Sequence, residues 1–202
     1  MDEEDLVDRI YEAGALPELW PSLLEQFGRY ANGAGGIMFA VGANGLHWDA
    51  SANLVELCSS YVEKGYIGSD PRTARLMAQD QLGFLVDHDV YTPQEWQDDK
   101  IRKEHFAPRG FGWGVATDIR MPSGEMVVVH AERRLEQGPF TREDAVRLDN
   151  LRPHLARAAM LSTRIAFERL RGAVAVLDII GVPAAILDRQ GRVMAANELL
   201  DQ

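Results

Sequence analysis

Residues 141–180, TREDAVRLDNLRPHLARAAMLSTRIAFERLRGAVAVLDII, constrain the fold more than any other stretch. Thr141 suits an N-cap, and Asp144 stands three residues on, where a capping-box acid belongs. Leu148, Leu151, Leu155 and Ala158 recur at spacings of three and four, as do Phe167, Leu170, Val174 and Leu177. The two runs are out of phase by about one residue, which predicts a stutter near Ser162 instead of one continuous heptad seam. Nearly forty helical residues span roughly 60 Å at about 1.5 Å each, wider than one small domain, so this helix is expected to connect things. Pro153 removes a backbone donor and predicts a kink near Asn150, with two helices in series as the alternative. The candidate dimerisation surface is Leu148, Leu151, Leu155, Phe167, Leu170, Val174 and Leu177, packed in parallel across a two-fold axis.

Upstream, residues 4–14 and 17–31 read as helices, with Leu6, Ile10, Leu19, Leu23, Leu24 and Phe27 forming an apolar stripe. Gly35–Val41 and Leu46–Ala50 read as a hairpin closed by a tight turn at 42–45. Leu54–Gly65 is a helix, and a short one follows Asp70-Pro71. Phe84–Val90 is expected to be a strand, Thr92-Pro93 to open a helix, and Ile101–Phe106 to extend helical structure. Phe111–Met121 and Glu125–Leu135 form a second strand pair, rich in β-branched residues at Val127–Val129. This order predicts an α+β fold on a mainly antiparallel sheet. The division expected is an α+β domain over 1–140, a linker and dimerisation helix over 141–180, and a terminal hairpin piece over 181–202.

The 202 residues hold room for one large domain, or for one domain plus a fragment. No apolar run reaches membrane-span length, and the acidic opening MDEEDL is the reverse of a secretory n-region. Cys58 stands alone, so no intramolecular disulfide forms; a reducing, cytoplasmic setting is expected. Between Thr141 and Ile180 seven arginines face five acids, a local surplus of two positive charges. The rest therefore carries −12 of a total of −10, a balance that repels phosphate backbones. The helix arginines are then read as a solvated face.

Two patterns resemble known families. Val182–Asp188, then Gly191-Arg192-Val193 and Asn197, resemble the opening of a PAS domain, with the turn at 188–191. Residues 5–170 resemble the GAF-like N-terminal sensory domain of LuxR-type helix-turn-helix transcriptional regulators, an α/β/α fold. The residues carrying this are Tyr11 and Pro17-Glu18-Leu19-Trp20-Pro21 at the start, and Gly138-Pro139-Phe140-Thr141 and Leu151-Arg152-Pro153-His154-Leu155 at the end. Between them, Tyr61, Tyr66 and Asp70-Pro71 keep the spacing of autoinducer-binding members, whose tyrosine and aspartate hydrogen-bond an acyl-homoserine lactone in a pocket. Those members carry a tryptophan four residues before the first tyrosine, where this chain has Leu57, so the lactone-carbonyl donor is not carried over. The resemblance implies a homodimer that meets DNA through a region absent from these residues, and hence a chain that is a piece of a longer regulator.

The site expected is an apolar pocket between the sheet and the helices of residues 54–106, with Met38, Trp48, Tyr61, Phe84, Trp96, Phe106 and Trp113 as walls. Asp70 and the Tyr61 hydroxyl are its polar anchors. Each aromatic could equally be ordinary core, and an Asp before Pro caps helices without any ligand. Asp87-His88-Asp89, read as a strand, puts its carboxylates on one face and its imidazole on the other, which is poor metal geometry. Cys58 lies among apolar neighbours with no histidine near it in sequence, and the glycines of Gly110–Gly114 lack the Lys-Ser/Thr of a phosphate loop. No cofactor, metal or catalytic constellation is expected. The favoured reading is a ligand sensor; the alternatives are a docking module without ligand and, third, an enzyme.

Overall fold

A computed structural model describes residues 2–42, 45–79, 83–121, 124–187 and 193–201, with the side chains of 166, 167 and 201 excepted. The turn centres expected at 43–44, 122–123 and 188–191, and the Phe167 side chain, lie outside the described residues. Helix α1 (Glu3–Ala15) begins at Asp2, whose carboxylate accepts from Asp5 N at 2.8 Å while the Asp5 carboxylate caps Asp2 N in return. Leu6, Ile10 and Ala13 recur on its buried face. Helix α2 (Trp20–Tyr30) carries Pro21 in its first turn and buries Leu23, Leu24 and Phe27.

Strands β1 (Gly35–Gly42) and β2 (Gly45–Ala50) pair as one hairpin, and β4 (Phe111–Arg120) and β5 (Met126–Arg134) as another. With β3 (Leu85–Val86) they form, among the described residues, a five-stranded sheet of order β2-β1-β5-β4-β3 in which every neighbour is antiparallel. The two-residue period sorts side chains cleanly. Met38, Val115, Val127 and Val129 join α1, α2 and the helical stretch that follows Thr141 in one apolar layer. Ile37, Phe39 and Val128 face a second layer built on α3 (Val55–Glu63) and α4 (Pro71–Met77). The result is the expected α/β/α sandwich.

One expected strand is shorter than the sequence suggests. It ends at Val86, and Asp87–Val90 turns as helix α5 because the Asp89 carboxylate accepts from Val86 N at 2.9 Å and caps a helical turn. Thr92 caps α6 (Pro93–Asp98) through a capping box with Glu95. The helical stretch to Phe106 is a π-turn over Arg102–Phe106 followed by a 3-10 turn to Arg109.

The long C-terminal helix divides where Pro153 predicts. Helix α7 (Arg142–Asp149) opens on the Thr141–Asp144 capping box, and α8 (Arg152–Ile179) takes Pro153 into its first turn. Leu148, Leu151 and Leu155 are buried in the first layer with α1 and α2. That half of the expected dimer seam is filled by the chain's own helices and is not offered to a second subunit. The approach is close at Gly14, where a Cβ would stand 3.0 Å from Ala158. The Ser162 hydroxyl closes this contact, accepting from Trp20 Nε1 at 3.0 Å and donating to Gly14 O at 3.1 Å. The body therefore extends through α7 and the first turns of α8, past the expected boundary at residue 140. Beyond Ser162, Val174 is buried and the hairpin β6 (Ala185–Leu187) and β7 (Val193–Ala196) packs on α8. Asn197 fastens that hairpin, accepting from Ala184 N at 3.0 Å and donating to Val182 O at 2.8 Å. Leu170 and Leu177 are half-buried.

Candidate ligand cavity

Between the second face of the sheet and α3–α4 lies a cavity of about 290 Å³, just below the roughly 300–1,000 Å³ usual for small-molecule sites. Ile37, Phe39, Leu57, Leu76 and Val128 give it an apolar wall. Of the eight side chains expected there, Tyr61, Asp70 and Phe106 line it. Met38 faces the opposite layer, since its neighbours Ile37 and Phe39 take the cavity side of β1. Phe84 also lies in the opposite layer, with its ring 5.9 Å from that of Phe27. Two contacts hold it there, as Phe84 N donates to Asp149 Oδ1 at 2.6 Å and Arg142 donates to Phe84 O at 3.1 Å. For these two residues the plain core reading is the right one. Trp48 stands opposite Phe39 and packs on the second layer without reaching the cavity. Trp96 and Trp113 stack on each other at 3.8 Å and 8°, outside the wall, with the Arg102 guanidinium 4.0 Å above Trp96.

One end of the cavity is polar. The Tyr61 hydroxyl donates to Asp70 Oδ2 at 2.7 Å, and Asp70 Oδ1 accepts from Arg72 N at 2.8 Å, so Asp70 serves as anchor and helix cap together. The Arg72 guanidinium binds Asp87 Oδ1 at 3.2 Å and Glu132 Oε1 at 2.9 Å, and lies 5.0 Å from the centre of the Phe106 ring. Asp87 Oδ2 accepts from Gly114 N at 2.7 Å. The packing at Gly114 is tight, since a Cβ there would stand 2.9 Å from Arg72 Nη1 and press on the guanidinium. His130 completes the group, with Nε2 3.5 Å from Glu132 Oε1 and its ring stacked on Phe39.

Burial sets the proton affinities. It pushes Asp87 up to about 6, against the downward pull of Arg72 and the Gly114 amide. Burial opposes the charge on Arg72, but Asp87, Glu132 and Asp70 together outweigh it and raise the guanidinium further. Burial, then the charge of Asp70, raises Tyr61, which stays a hydroxyl donor at neutral pH. Burial also pushes the Cys58 thiol up to about 12, so this cavity-lining sulfur is a poor nucleophile.

Arg72, Asp87, His130 and Glu132 were not among the expected site residues. They come from α4, α5 and β5, and no local spacing joins them. A signal existed in β5, where Val128, His130 and Glu132 alternate with the apolar Val127, Val129 and Ala131 and so share the cavity face.

No protein-family model matches this chain, and no curated protein does. Solved structures do share its fold. CepR2 from Burkholderia cenocepacia, an N-acylhomoserine-lactone-dependent LuxR-family transcription factor, is 20% identical with a TM-score of 0.59, over 81% of this chain and 94% of that one. The ligand-binding domain of VqsR from Pseudomonas aeruginosa is 14% identical with a TM-score of 0.60, over 80% and 96% respectively. SdiA from Escherichia coli is 13% identical with a TM-score of 0.52, over 80% and 77%. The fold of this chain is thus that of the ligand-binding domains of LuxR-type regulators.

Proposed function

We propose that this chain is the sensory region of a LuxR-type transcriptional regulator, which takes a small apolar molecule into the cavity and reports it through α8 to a second copy. The observation that carries this reading is the apolar cavity with one polar end, set in a fold shared with regulator ligand-binding domains. A hollow beside Tyr61 and Asp70 favours it over a docking module without ligand, which expects solid packing there. For regulation, the guest must bind one arrangement of α8 better than another. The face of α8 assigned to the second copy is the part its own body leaves open, with Leu170 and Leu177 half-buried and Val176 and Ile179 exposed. This reading gives the chain itself no contact with DNA, consistent with its net charge of −10.

Native mass spectrometry tests the reading. The expected result is a dimer that retains one small molecule per subunit, either as purified or after incubation with a mixture of octan-1-amine, octan-1-ol, octanoate and methyl octanoate. A bare mass under both conditions contradicts ligand sensing, and a monomer contradicts the relay.

A further inference from the structure

The polar end of the cavity holds a buried acceptor that nothing around it satisfies. Arg72 Nε, Nη1 and Nη2 are directed at Asp87 Oδ1, Glu132 Oε1 and Gly112 O, at 3.2, 2.9 and 3.4 Å. The Tyr61 hydroxyl is committed to Asp70. Glu132 is fully buried at 0% exposure and lines the cavity, yet its Oε2 has no hydrogen-bond partner among the described residues. His130 Nε2, another polar atom of this wall without a hydrogen-bond partner among the described residues, lies 3.5 Å from Glu132 Oε1. In formal charge, Asp70, Asp87 and Glu132 outnumber Arg72 by two. A buried acceptor without a partner raises the free energy of the empty protein, and a ligand donor relieves it. A ligand carbonyl or carboxylate would instead set oxygen lone pairs against Oε2.

The geometry points to a ligand whose polar head is a hydrogen-bond donor, an amine or an alcohol on a short apolar body, with Glu132 Oε2 as the acceptor that selects it. This rests on the ligand-sensing reading and specifies the head group that reading leaves open. The long apolar wall of the cavity suits a short aliphatic chain, and eight-carbon probes serve to test the head group.

Calorimetric titration of the wild-type protein at pH 7 with octan-1-amine, octan-1-ol, octanoate and methyl octanoate tests this. The amine and the alcohol are expected to bind saturably, one per subunit, and at least tenfold more tightly than the ester and the carboxylate. Whichever of the two donors binds tighter identifies the preferred head as cation or neutral hydroxyl, and either order supports the inference. An ester or carboxylate that binds as tightly as the better donor overturns it while leaving the cavity's role intact. Binding by none of the four overturns the ligand-sensing reading itself. Glu132→Gln is expected to weaken the amine about tenfold and to leave the ester unchanged; equal losses for both contradict a selecting role for this carboxylate. Should that variant fail to fold, the wild-type series decides alone.

Discussion

Asp87 gives the polar cluster a pH dependence whose sign follows from its environment. Burial raises its proton affinity in the folded chain to about 6, above the ordinary carboxylate value of 3.8. Its stabilising contribution is therefore fully present below pH 3.8 and is lost as pH rises through about 6, the reverse of a salt-bridged surface acid. Between pH 7 and pH 5 the wild type should gain about 1 kcal/mol relative to Asp87→Asn, which has no proton to take up. Urea unfolding of both proteins at the two pH values checks this; a difference that stays constant, or that shifts the other way, contradicts it. At this scale the sequence was legible for Tyr61 and Asp70, nine residues apart on adjoining helices. It was not legible for Arg72 with Glu132, sixty residues apart, because only the completed sheet brings them together. Met38 was misplaced because a large apolar side chain looks the same from either side of a sheet; strand parity decides the side, and its neighbours Ile37 and Phe39 reveal it.

At the scale of elements, α8 is one helix whose first turns are core and whose later turns are proposed to meet a second copy. Its first turns and α7 belong to the core, where Leu148, Leu151 and Leu155 meet α1 across the Gly14–Ala158 contact. Leu155→Ala should therefore destabilise the fold by about 2–5 kcal/mol, with the subunit count unchanged. Leu170→Glu should do the opposite, dissociating the dimer with little change in the unfolding midpoint. Sedimentation and denaturant unfolding of the two variants separate these outcomes; a Leu170→Glu protein that sediments like wild type disposes of the α8 interface. The apolar repeat of residues 141–180 was readable from sequence, and so was its break at Pro153. What a repeat cannot state is whether its partner comes from the same chain. Here α1, more than a hundred residues upstream, claims the first half.

For the whole molecule, the antiparallel sheet divides the labour. One face, closed by α1, α2, α7 and α8, carries the larger apolar cluster. The other, under α3 and α4, keeps a hollow with an apolar wall and a charged end. Such a division lets a guest alter one layer while the other holds the fold, which a sensor requires. Titration of the same four eight-carbon probes into wild-type protein and into Ala116→Trp, which fills the hollow from β4, tests this most directly. The expected result is one-to-one binding of at least one probe to wild type with a negative heat-capacity change, and no binding to the folded variant. Equal binding by both proteins, or none by either, would contradict the claim that this hollow is where the molecule senses its ligand.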